Sequence, residues 1–129
     1  MNENEKLVVD AFAAWQAGDG QAVFRLMSDD LEWRIIGTTD ISGTYASRKE
    51  FLDMVNAKLT PRFAGQLLPT VERIFAEGKT VVAQFTSVAP THSGPDYKQT
   101  YCWIMEVEEG EIRSGTAYLD TALIDRVMA

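Results

Sequence analysis

Apolar side chains recur at helical spacing near the start of the chain, at Leu7, Val8, Ala11, Phe12 and Trp15. Asn2 and Glu5 stand before them as an N-cap and its capping-box partner, and Gly18 supplies the stop. Asp19 predicts the cap of a second, short helix carrying Val23, Phe24 and Met27, closed by Asp29 and Asp30. Leu31 to Ile36 alternates and predicts a strand, followed by a polar loop from Gly37 to Asp40. Ser47 and Glu50 form another capping box ahead of Phe51, Leu52, Val55 and Leu59, and Pro61 ends that third helix.

From there the period shifts from helical to alternating. Gln66 to Ala76 reads as a strand whose start, at Pro69, belongs at an edge or a bulge. A Glu77-Gly78 turn leads into Thr80 to Ala89, a loop from Pro90 to Pro95 into Tyr97 to Val107, and Glu109-Gly110 into a last strand. That strand ends at Asp120, ahead of a short terminal helix, Thr121 to Met128. Helices first and tightly joined strands afterwards predict an α+β fold with a curved antiparallel sheet wrapped around three helices of the N-terminal half. One face of the later strands carries Val81, Ala83, Phe85, Tyr101, Trp103 and Met105, but the other also carries Val82, Val88, Cys102 and Ile104. A sheet with one wet face alternates more cleanly. Both faces are therefore expected to be covered, one by the helices and the outer one by a second copy in a homodimer.

Composition narrows the function. A chain of 129 residues, with no linker or repeat, predicts one domain over 1–129. A net charge of −7 and no Lys/Arg run disfavour nucleic acid and anionic membrane surfaces, and no apolar run reaches the roughly 18 residues of a membrane span. The acidic start lacks a signal-peptide pattern, so the cytoplasm is the expected location. One cysteine, Cys102, and one histidine, His92, predict neither a disulfide nor a zinc site, and no metal or cofactor is expected.

Asp120 is the candidate acid or base. A carboxylate at the inner end of an apolar strand is costly unless paired or protonated, and burial beside aromatic groups would raise its pKa into the range proton transfer needs. Its other reading is the N-cap of the terminal helix. Tyr118, two residues earlier, shares its face and could donate a hydrogen bond into a pocket. Trp15, Trp33, Tyr101 and Trp103 are core or pocket wall. Arg34 points to the surface if Trp33 and Ile35 face the helices; otherwise it enters the pocket with Gln84 and Thr86. His92 sits in a turn-rich loop and reads as a solvated tip, and Cys102 reads as a small core residue.

Trp15-Gln-Ala-Gly-Asp19, Leu26-Met-Ser-Asp-Asp30, Glu32-Trp-Arg-Ile-Ile-Gly37, Ile41-Ser-Gly-Thr-Tyr45 and Gly110-Glu-Ile with Ala117-Tyr-Leu-Asp120 fall in an order that resembles the nuclear transport factor 2-like superfamily. Within it, the chain is similar to SnoaL-like polyketide cyclases and ketosteroid-isomerase-related proteins. The resemblance implies a cone-shaped, cystatin-like roll with a pocket between sheet and helices. The isomerase's base falls on Arg34, its tyrosine on Ala11 and its oxyanion Asp on or near Trp103, so that mechanism is lost. Limonene epoxide hydrolase aligns at its catalytic Asp with Asp120, but its partner Arg and second Asp fall on Gln84 and Thr86.

The expectation is a pocket for a small cyclic or polyketide-like molecule. In the catalytic reading Asp120 is the acid/base of a cofactor-independent isomerase, cyclase or hydrolase, and Trp15, Trp33, Arg34, Gln84, Tyr101, Trp103 and Tyr118 contact the substrate. A carrier or sensor without turnover, or an interaction module with a vestigial cavity, are the alternatives.

Overall fold

Helix α1 starts where its capping box puts it. Asn2 accepts a hydrogen bond from the Glu5 amide at 2.7 Å, and the helix runs Glu3–Gln16, burying Val8, Ala11, Phe12 and Trp15. The chain is described over all of residues 1–129 by a computed structural model. The second predicted helix does not form: Phe24–Leu26 is a single 3₁₀ turn, and strand β1 already runs from Met27 to Ile35. Met27 and Ser28 are buried, and Met27 lies opposite Ile112, so burial against a neighbouring strand overrides a short helical pattern.

A three-residue strand β2 (Gly43–Tyr45), too short to leave an alternation, pairs with the end of β1. Ser47 then caps α2 (Arg48–Met54), accepting from the Glu50 amide at 3.0 Å. A π-type turn over Val55–Leu59 and a 3₁₀ turn over Thr60–Arg62, with Pro61 near its start, bring the helix to its end. Four strands follow: β3 (Leu68–Glu77), β4 (Thr80–Ala89), β5 (Tyr97–Glu108) and β6 (Glu111–Leu119). Helix α3 (Thr121–Met128) closes the chain. The fold is α+β with three full helices, as expected, but only α1 and α2 belong to the N-terminal half; the third is α3.

The strand order is β2-β1-β6-β5-β4-β3, with β1 and β6 parallel and every other pair antiparallel. β3 lies at an edge, where Pro69 can be tolerated. Register shifts between Met27 and Glu32, Val71 and Arg73, and Glu106 and Val107 are bulges, which bend and twist a sheet so that it can wrap around helices. Within that curve Phe12, Trp15, Phe85 and Trp103 pack ring against ring at 4.8–6.4 Å.

Candidate functional site

Strand parity decides which side chains reach the interior. In β5 the inward positions are Tyr97, Gln99, Tyr101, Trp103 and Met105; across from them in β6 stand Gly115, Ala117 and Leu119. Between this face and the helices lies a cavity of about 330 Å³. Trp15 of α1, Phe51 of α2, Trp33 of β1, Tyr101 and Trp103 of β5 and Ile124 of α3 all border it. Of 24 lining residues 18 are hydrophobic, and none is Asp, Glu, Lys, Arg, His or Cys. Gln21, Asn56, Thr60 and Gln66, all exposed, form its polar mouth.

Gly115 makes the back wall possible. A Cβ there would stand 2.3 Å from Cζ3 of Trp33, so the indole lies directly across the β6 backbone. Trp33 in turn packs edge-on against Trp103, with ring centres 4.9 Å apart. The Nε1–H of Trp15 donates to the Leu67 carbonyl at 3.0 Å, fixing that ring at the rim.

One polar network enters this apolar site. The Gln99 side chain is 1% exposed, and its Oε1 accepts from the amides of Thr100 at 3.0 Å and Asp120 at 2.8 Å. Both partners are obligate donors, which fixes the other end of the carboxamide as the nitrogen. Nε2 donates to the Asp120 carbonyl at 2.9 Å and to Oη of Tyr97 at 3.1 Å. Oη of Tyr97 lies 3.2 Å from Oη of Tyr101. With Gln99 already donating to it, Tyr97 passes its own proton to Tyr101, since the reverse direction would strand a buried donor. The Tyr101 hydroxyl, with Ser87 beside it, is then one donor on the cavity wall, and the unpartnered Nε1–H of Trp103 is another. Burial raises the pKa of both phenols; for Tyr97 the nearby Tyr101 adds to the effect, and for Tyr101 the hydrogen bond to Tyr97 opposes it. Both are neutral at ordinary pH.

The structure brings four of the expected site residues together, Trp15, Trp33, Tyr101 and Trp103, and separates the other four. Asp120 is exposed, does not border the cavity, and accepts from the Ala122 amide at 3.0 Å as the N-cap of α3. Its capping geometry is the one realised, and the acid/base assignment is corrected accordingly. Tyr118 does share its side of the sheet, but that side is the outer one: Ala117 and Leu119 face inward and Tyr118 is 41% exposed. Arg34 sits outside between Thr44 and Thr116, and Gln84 outside opposite Cys102; both are exposed. None of these three lines the cavity. His92 borders a separate polar cleft, and Cys102 is half-buried on the outer face.

Sequence reasoning missed Tyr97, Gln99 and Gly115. Tyr97 and Gln99 continue the parity of Tyr101 and Trp103, and a glycine inside a strand signals close approach of another group, so both clues were present.

The fold is thus a curved sheet covered by helices, with an apolar cavity between the two. The chain belongs to the SnoaL-like domain family, whose model matches residues 8–115. No match is found among curated proteins. Among solved structures it is similar to an NTF2-like protein of Burkholderia thailandensis, at 22% identity and a TM-score of 0.80, covering 100% of this chain and 99% of that one. It is also similar to TerC co-crystallised with polyporic acid, at 18% identity and 0.75, covering 98% of each chain. An LEH-like epoxide hydrolase of M. tuberculosis matches at 19% identity and 0.68, over 98% of this chain and 89% of that one. At these identities the likeness establishes the fold.

Proposed function

We propose that this protein binds a neutral, ring-bearing organic molecule and acts as a carrier or sensor without proton-transfer catalysis. One observation carries the reading: the cavity wall holds no carboxylate, imidazole or ammonium group, and its two titratable side chains, Tyr97 and Tyr101, are phenols held neutral. General acid–base catalysis needs a group whose pKa lies near the working pH.

The cavity, at about 330 Å³, is roughly twice the ~150 Å³ that accommodates a benzene ring. A two-ring body, or one ring with a short chain, fits. The stacked and edge-on indoles of Trp15, Trp33 and Trp103 favour flat faces. The Tyr101 hydroxyl and the unpartnered Nε1–H of Trp103 favour a carbonyl or ether oxygen on the ligand. The co-crystallisation of TerC with polyporic acid supports a small organic ligand, and the cavity's lack of a carboxylate disfavours a hydrolase-like reaction in it.

The reading is tested by thermal shift with 1-tetralone, 1,4-naphthoquinone and tetralin, followed by product analysis with the native chain and Asp120→Asn. Stabilisation by several degrees at saturating ligand, equal in both proteins and without turnover, is expected. Turnover abolished by Asp120→Asn, or no stabilisation by any compound, overturns it.

We also propose that the outer sheet face pairs with a second copy. Leu68, Phe75, Val88, Ile104 and Tyr118 stand on it at 39–44% exposure, and Phe75, Val82 and Ile104 form one cross-strand row. A contiguous apolar row of this kind is what an isologous interface covers.

A further inference from the structure

On the far side of Tyr97 from the apolar cavity lies a second cleft of about 430 Å³ with the opposite chemistry. Three separate elements build it: Arg62 at the end of the 3₁₀ turn after α2, His92 to Gly94 in the loop before β5, and Arg126 on α3. Only 4 of its 13 lining residues are hydrophobic.

The two guanidiniums are unneutralised. Of the chain's 12 Lys and Arg side chains, Lys6, Arg25, Lys49, Lys79 and Arg113 are in ion pairs. Arg48 and Lys58 donate to the carbonyls of Phe24 and Asp40, and Arg73 lies over the ring of Phe75. That leaves Arg34, Arg62, Lys98 and Arg126, and two of those face this one cleft. Asp96, whose carboxylate is on the same wall, forms no ion pair with either arginine.

The loop supplies donors as well. Thr91 folds it by donating to the carbonyls of Gly94 and Pro95, both at 3.0 Å, and a bond from the Ala64 amide to the Pro90 carbonyl, 2.8 Å, ties it to the body. The amides of Ser93 and Gly94 have no backbone acceptor among the loop and turn bonds, whereas that of His92 belongs to the bridge between Phe63 and Thr91. The sole imidazole of the chain donates from at least one ring nitrogen in either protonation state.

We propose that this cleft is a binding site for a small oxyanion, a carboxylate or phosphate group, gripped by Arg62 and Arg126 from opposite sides with the 92–94 loop beneath. Planar guanidinium forks match both groups bidentately, and their grip must outweigh the repulsion of a chain of net charge −7. Because Arg126 shares α3 with Ile124, a wall of the apolar cavity, the bound anion also fastens that wall to the rest of the molecule.

The test is a titration of the full chain at low ionic strength with inorganic phosphate and, separately, with glutarate, following the backbone amide resonances of Ser93 and Gly94. Saturable shifts are expected with at least one probe, and which one saturates distinguishes phosphate from carboxylate recognition. Arg62→Gln and Arg126→Gln should each weaken binding about tenfold, and the double variant should not saturate. Both arginines are exposed, so the variants' anion-free melting curves should match the native one. No saturation by either probe overturns the proposal. Shifts that persist in the double variant overturn it too, since they mark an adventitious ion only.

Discussion

Gly115 shows how a single missing side chain can shape a site. Its place in β6 is filled by the Trp33 indole, and Trp33 carries the edge-on contact to Trp103. Gly115→Ala should destabilise the fold by about 1–3 kcal/mol through overpacking, read from urea denaturation, and should weaken ligand binding by displacing the indole. The tyrosine pair makes a second prediction. A phenol whose pKa is raised in the folded state adds stability that is complete below the unfolded value, near 10, and is lost as pH rises above it. The urea midpoint should therefore hold steady to about pH 10 and then fall, with tyrosinate absorbance from the pair appearing only on unfolding. Tyr97→Phe should flatten that alkaline decline. Equal declines in both proteins would show that the pair does not govern it.

Among the elements, α3 depends on what lies beneath it. Asp120 contributes one cap hydrogen bond from an exposed position, so Asp120→Ala should cost about 0.5–2 kcal/mol and leave ligand affinity unchanged. Gln99→Leu removes four hydrogen bonds and leaves the part-buried backbone groups of Thr100 and Asp120 without their side-chain partner, while Tyr97 keeps its bond to Tyr101. Each orphaned buried group costs about 1–3 kcal/mol, so this substitution should be clearly the more damaging of the two. Chemical denaturation of both variants ranks them directly; equal losses would contradict the network's role. The element scale is also where sequence and structure part. The two capping boxes place α1 and α2 correctly because caps are local chemistry. The pattern around Val23, Phe24 and Met27 fails because β6, distant in sequence, offers Met27 a strand partner.

For the whole molecule, the two sheet faces have distinct tasks. The inner face builds the cavity, and the outer one carries Phe75, Val82 and Ile104 in one row without a partner in the chain. Ile104→Lys should convert a dimer to a monomer in sedimentation velocity, with the melting curve of the monomer otherwise cooperative. A native protein that sediments as a monomer at micromolar concentration would contradict the pairing.

The caps, most strand positions and the α+β layering were legible in the sequence, because local hydrogen bonding and the period of burial set all of these. Which parity of β1, β4 and β6 faces inward, and so whether Trp33 is wall or surface, was set by packing between distant segments. Alternation assigns Tyr118 and Asp120 to a common side but leaves open which side that is, and the register of β6 against β1 and β5 turned it outward. The same packing that placed an acid at a helix end placed two neutral phenols in the hollow, and the chemistry available to the site follows from that exchange.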